Sequence, residues 1–288
     1  FAHNGLDYVM AMFGAWKLGA VSDHINVLQA QNLAWFVQDS TPTVLIYTGD
    51  LHEVVERNRP QTPSIRHYIC LDGERPGSLD WNAMVAAKLK PPAVKVDGED
   101  AAHLSYTSGS SGKPKGAILA HGYTARATHC IAERLQLTRE DVSFGPTSLA
   151  SSYHLVGNLL PGIHRGVYVG VRTRWDPETA WNEMEQRGVT FMVANPLLLN
   201  DLLLHCRKMG RKPAALRFVV SGGAPVPPEL KMAYQEELGA PLVESYGQSE
   251  LGGFVALGYP RPEQGEKFKA IGPELPDREV RIADEQDN

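Results

Sequence analysis

No apolar run in the 288-residue sequence approaches the ~18 residues that a helix needs to cross a bilayer. We therefore expect no transmembrane segment, and no signal-peptide pattern is expected either. Cysteine is scarce: Cys70, Cys130 and Cys206 lie far apart and form no CxxC pair. That excludes a disulfide framework and a thiolate metal site, and it suits buried thiols in a reducing, cytoplasmic setting. Basic runs are missing as well, and the net charge is −5. A nucleic-acid partner held by a cationic surface is thereby disfavoured.

What is present is an ordinary globular composition, 43% hydrophobic and 21% charged, long enough for one large domain or two smaller ones. Asn4 is expected to cap a first helix through Tyr8, Met12, Ala15 and Trp16, with Gly19 at its end. "AVSDHINV", "TVLIY" and "RHYICLD" read as strands, and Ala30 to Gln38 as a helix. Ser78 to Asp100 is polar and proline-containing, which suggests a subdomain connection there and a division into 1–100 and 101–288.

The second half alternates more plainly. Asp176-Pro177 should cap a helix that ends near Gly188, and Pro227-Pro228 should open another that Gly239 closes. "VTFMVA", "LRFVVSGG" and "PLVESYGQSE" read as strands between them. Strand, helix and strand joined by short turns imply layered α/β architecture, with largely parallel sheets flanked by helices.

Three segments carry chemistry. "YTSGSSGKPKG", Tyr106 to Gly116, joins glycines, hydroxyls and lysines between two apolar stretches. Its backbone N–H groups and hydroxyls can converge on an anion, and Lys115 can add a positive charge. Composition alone fits a solvated linker equally well. It is not a Walker A loop: Thr107 stands where the first glycine belongs, and Pro114 follows the lysine of Gly112-Lys113. "SGGAPVPPEL" from Ser221 and "ESYGQSE" from Glu244 both fall where strands end, the edge at which open α/β sheets bind ligands. Gly222 and Gly223 permit close approach to a flat ring, Tyr246 offers a stacking face, Ser249 a hydroxyl and Glu250 a hard oxygen ligand.

Together these residues resemble the adenylate-forming superfamily of acyl-CoA synthetases, peptide-synthetase adenylation domains and firefly-type luciferases. The family's YTSGTTGxPKG differs from Tyr106–Gly116 only in serines for threonines at Ser110 and Ser111. Its YGxTE appears as Tyr246 to Glu250 with Ser249 for threonine, and "SGGAP" matches its adenine-binding segment. The likeness runs the whole chain, through "GAWKLGAVSDHINV" and "IGPELPDREVRIADE".

The resemblance implies the N-terminal domain of an AMP-forming acid–thiol ligase. Such an enzyme joins a carboxylate to ATP as an acyl-adenylate and then passes the acyl group to coenzyme A. By carry-over, Thr107, Ser108, Gly109, Ser110, Ser111, Gly112 and Lys115 form the phosphate loop. Gly223, Ala224 and Pro225 flank one adenine face, with Ser245, Tyr246 and Gly247 on the other side. Ser249 meets the α-phosphate, Glu250 holds Mg²⁺, and His154 sits near the reacting carboxylate. His154 to Asn158 and Ser221 to Gly223 line the acyl pocket.

"FGPTSLASSYH" carries no acid where peptide-synthetase domains place an aspartate, so a fatty or aromatic acid is expected over an amino acid. A peptide-synthetase-type or luciferase-like adenylating enzyme, or a catalytically silent binding homologue, stays as the alternative. Peripheral association with a membrane surface stays open. The family's ribose-binding aspartate motif, hinge and mobile C-terminal domain have no counterpart in these residues. We therefore expect the chain, taken as a piece of a longer enzyme, to bind nucleotide weakly if at all and to turn over poorly alone.

Overall fold

The computed structural model describes every residue except 108–113, 173, 277, 285, 287 and 288, and the side chain of Glu266. The chain forms two compact units: Phe1–Ala125 with Thr147–Ser152 and Val171–Thr173, and Arg126–Pro146 with Tyr153–Gly170 and Arg174–Asn288.

In the first unit, strand β1 (Ser22–Asp23) pairs in parallel with β5 (Ala101–Tyr106), which pairs antiparallel with β6 (Gly116–Ala120). A second sheet runs β2 (Val44–Tyr47), β3 (His67–Cys70), β4 (Leu79–Asp80), all parallel. Helices α1 (Leu6–Lys17), α2 (Leu33–Ser40), α3 (His52–Asn58) and α4 (Trp81–Ala86) belong to this unit, and α5 (His121–Arg134) begins in it. Leu33, Phe36, Val37, Leu45, Tyr47 and Tyr68 form its apolar cluster.

Asn4 does not cap α1. Gly5 stands at the cap position without a side-chain bond. The Asn4 amide instead donates to Thr147 O at 2.8 Å and Arg172 O at 2.7 Å, while its oxygen accepts from Leu149 N at 2.8 Å. An amide offers both donors and an acceptor, so it satisfies distant backbone that a cap would leave unpaired. The strand expected over "AVSDHINV" shortens to β1, because Asn26 turns the chain by accepting from Leu28 N.

The second unit is built on a six-stranded sheet in the order β12-β11-β10-β9-β7-β8. The strands are β7 (Val142–Gly145), β8 (Tyr168–Val171), β9 (Phe191–Val193), β10 (Phe218–Ser221), β11 (Leu242–Gln248) and β12 (Gly253–Leu257). β7, β9, β10 and β11 run parallel, and β12 returns antiparallel. Between them stand α6 (Ser152–His154), a π-turn (Leu155–Leu159), α7 (Leu160–Arg165), α8 (Pro177–Arg187), α9 (Pro196–Met209) and α10 (Pro228–Glu236).

Local signals fixed these helix bounds. Asp176 accepts from Thr179 N, Pro177 fills the first turn where no N–H is needed, and Gly188 ends α8 at φ 63. The apolar faces of α8, α9 and α10 supply Trp181, Met184, Leu199, Leu202, Leu230 and Tyr234 to one core against the sheet.

Candidate nucleotide and acyl site

In the first unit, the serine-rich segment lies in sequence between β5 and β6, which pair antiparallel. Tyr106 pairs with Gly116, and Thr107 N donates to Lys115 O at 2.9 Å. The Lys115 N–H in turn lies 3.4 Å from Thr107 Oγ1. Tyr106 anchors β5 to α2: its ring packs edge-on against Phe36, and its hydroxyl donates to Asp39 at 2.7 Å. Lys115 is exposed. Ser108, Gly109, Ser110, Ser111 and Gly112 lie outside the described residues.

Two imidazoles in and beside this sheet are buried, His24 just after β1 and His103 on β5. His24 Nδ1 is 2.5 Å from Tyr8 Oη, and its Nε2 is 2.8 Å from Ser22 Oγ. His103, on β5, meets Thr124 Oγ1 at 3.3 Å. Burial lowers His24 to about 3 and His103 to about 4, with neighbouring His103 and His121 adding to the respective shifts.

In the second unit, parallel pairing of β10 with β11 aligns Ser221 with Glu244. β10 ends at Ser221, whereas β11 continues past Glu244 to Gln248 against β12, so the turn that begins at Gly222 leaves the sheet beside Ser245. Ser245 Oγ donates to Ser221 O at 2.9 Å and ties the two ends together. A Cβ on Gly222 would strike that hydroxyl and its carbonyl. Gly223, at φ +77, takes the left-handed conformation that lets the loop turn away. Gly223, Ala224 and Pro225 are exposed, and Tyr246 is 45% exposed, so both flanks are open to a ligand. Gly247 backs onto the Gly253 carbonyl so closely that a Cβ there would overlap it. Ser249 and Glu250 follow on a short 3-10 turn, Glu250 exposed.

His154 is fully buried, and burial lowers it to about 3, so its imidazole is neutral. Its Nε2 is 3.4 Å from Asn158 Nδ2, one π-turn on. Among the described residues, His154 Nδ1 and Asn158 Oδ1 have no hydrogen-bond partner. π-Turns of this kind concentrate at functional positions.

Sequence reasoning missed Tyr153. Its hydroxyl, 3.1 Å from Ala194 O and 3.3 Å from Val220 O, donates to the ends of β9 and β10, and its ring lies against Gly222 and Phe254. The signal available was an aromatic hydroxyl beside His154. Its role depends on strands 41 and 67 residues away, which no local pattern reports.

The second unit thus brings His154, Tyr153, the glycine turn and Tyr246 to one edge of one sheet, the edge where open α/β sheets take nucleotides. The model of the family described as AMP-binding enzyme matches residues 1–288. The chain belongs to the AMP-binding enzyme family.

This member of the AMP-binding enzyme family is 28% identical over 277 residues to a feruloyl-CoA synthase of Amycolatopsis sp, covering 96% of the chain and 53% of that protein. It is 26% identical over 302 residues to a long-chain-fatty-acid–CoA ligase of Thermus thermophilus, covering 98% and 54%. The chain therefore spans about half the length of the curated relatives it matches. Its fold is that of an anthranilate–CoA ligase solved with anthranoyl-AMP, at TM-score 0.91 and 21% identity over 100% of this chain and 56% of that one. It is also that of the N-terminal domain of FACL13 from Mycobacterium tuberculosis, at TM-score 0.88 and 22% identity over 100% and 71%.

Among the described residues, no helix is long and apolar enough to cross a membrane. Among the same residues no group of three or more His, Cys, Asp or Glu could hold a metal.

Proposed function

We propose that this chain is the nucleotide- and acyl-binding part of an AMP-forming acyl-CoA ligase for a fatty or aromatic acid. The observation that carries the proposal is the β10–β11 register: the open glycine turn follows Ser221, and the exposed Tyr246 stands two residues after Glu244, the partner of Ser221 on β11. A slot with a backbone wall and an aromatic wall suits a flat base.

The chemistry asked of the residues is modest. A carboxylate is a poor acyl donor, and AMP is a far better leaving group than its oxide. Two anions must be brought together and their repulsion offset. Thr107 and Lys115, with the loop residues 108–112, would hold the β- and γ-phosphates. Gly223, Ala224 and Pro225 would flank the base, with Ser245, Tyr246 and Gly247 opposite, and Ser249 would donate to the α-phosphate. Neutral His154 would face the carboxylate without adding charge. Coenzyme A would be the thiol acceptor.

Magnesium fits the residues present in one mode. It keeps most of its waters and takes one or two carboxylates with substrate phosphates, so the single exposed Glu250 is a sufficient protein ligand. The ion would neutralise phosphate charge.

ATP–pyrophosphate exchange with fatty, aromatic and amino acids tests the reading. Exchange driven by a fatty or aromatic acid supports it. Amino-acid-driven exchange would point to a peptide-synthetase-type enzyme, and silence across the panel to a binding homologue.

A further inference from the structure

Lys231, in the first turn of α10, is 2% exposed. Its ammonium donates to Ala270 O at 2.7 Å and lies 3.0 Å from Glu244 Oε2 and 3.6 Å from Glu263 Oε2. One carbonyl and two carboxylates surround the ammonium, so its buried charge is paired. The stretch near Glu263 has its own attachment to α10: Gln235 Nε2 donates to Glu263 O at 2.9 Å, and Gln235 Oε1 accepts from Glu263 N at 2.7 Å. The Lys231–Glu244 pair does something different, because it joins α10 to β11.

Position along the chain makes that link consequential. Lys231 sits shortly after Gly223–Pro225, and Glu244 stands two residues before Tyr246. The pair therefore ties together the two elements from which the flanks of the slot emerge. On the neighbouring residue, Ser245 is tied to β10 through Ser221 O. We propose that Lys231 is a positioning residue that sets the spacing between the Gly223–Pro225 turn and Tyr246 by holding Glu244. The inference rests on the nucleotide reading above.

A buried ion pair contributes little net stability relative to apolar side chains of the same volume, whereas its geometry is directional. Spacing matters here because dispersion contacts are short-ranged. A gap of about 0.5–1 Å already forfeits a quarter to a half of each contact.

The test is AMP binding to the 288-residue chain, followed by NMR titration, alongside urea unfolding. Lys231→Met should weaken AMP about 10-fold and also lower stability, since Glu244 keeps a charge without its partner. Lys231→Met/Glu244→Met should recover the stability and leave AMP weak, because an apolar pair packs but does not direct. Lys231→Arg, which keeps the cation, should stay within about 3-fold of the parent chain.

Unchanged AMP affinity in Lys231→Met, or affinity that returns together with stability in the double variant, overturns the positioning role. Should Lys231→Met not fold, the double variant and Lys231→Arg decide alone. Absence of AMP binding by the parent chain would instead overturn the nucleotide reading, and the inference with it.

Discussion

The imidazole of His154 occupies the space that a side chain at Gly145 would need. A Cβ built at Gly145 would overlap His154 Cε1 and press on Asn158 Nδ2. Gly145 ends β7, so a glycine at a strand terminus makes room for a neutral histidine under the sheet's edge.

Gly145→Ala should therefore cost about 1–3 kcal/mol by overpacking, read as a lowered urea midpoint at constant slope. Gly145→Ala/His154→Ala should recover most of that loss. A double variant no more stable than Gly145→Ala would show that the ring is not what fills the space.

Acid should destabilise the fold over a defined window. His24, His103 and His154 titrate near 6.5 when unfolded and at about 3, 4 and 3 when folded. Between those values the unfolded chain binds more protons, so stability is fully present above pH ~6.5 and is lost as pH falls toward 4. Each histidine contributes a slope of up to about 1.4 kcal/mol per pH unit in that window. Urea midpoints measured from pH 7.5 to 4.5 should fall, and His103→Asn should flatten the slope. A flat profile would mean that these rings are not buried as neutral groups.

Tyr246→Ala removes the exposed aromatic wall and should weaken AMP binding by about 1–2 kcal/mol, the scale of a base–aromatic stack. Tyr246→Phe should bind as the parent does. Equal affinity in Tyr246→Ala would place the base elsewhere.

Lys115→Ala should slow ATP–pyrophosphate exchange about 100-fold in an active form of the enzyme, through loss of one preorganised positive charge. Glu250→Gln should raise the magnesium concentration needed for half-maximal exchange. Unchanged kinetics in the first, or an unchanged magnesium titration in the second, would remove that residue from the site.

Much of this was legible locally. The Asp176-Pro177 start and Gly188 stop of α8 lie within one element, and so do the Pro228 start of α10 and the buried strands Phe191–Val193 and Phe218–Ser221. The three motif segments are contiguous, so their chemistry could be read before their geometry. Asn4 was misread because its side chain answers to backbone 143 to 168 residues away, whereas capping is a rule about the next three residues.

Sequence by itself determined the α/β alternation, many of the turn and cap positions, and the residue types gathered in the three motif segments. These depend on φ/ψ preference and on hydrophobic period, which act over a few residues. Tertiary structure alone decided that Ser221 stands opposite Glu244, that Tyr153 bridges the ends of β9 and β10, and that Lys231 is buried against β11. It also decided that His154 is neutral, because a pKa follows from desolvation, and desolvation belongs to the packed fold rather than to the chain.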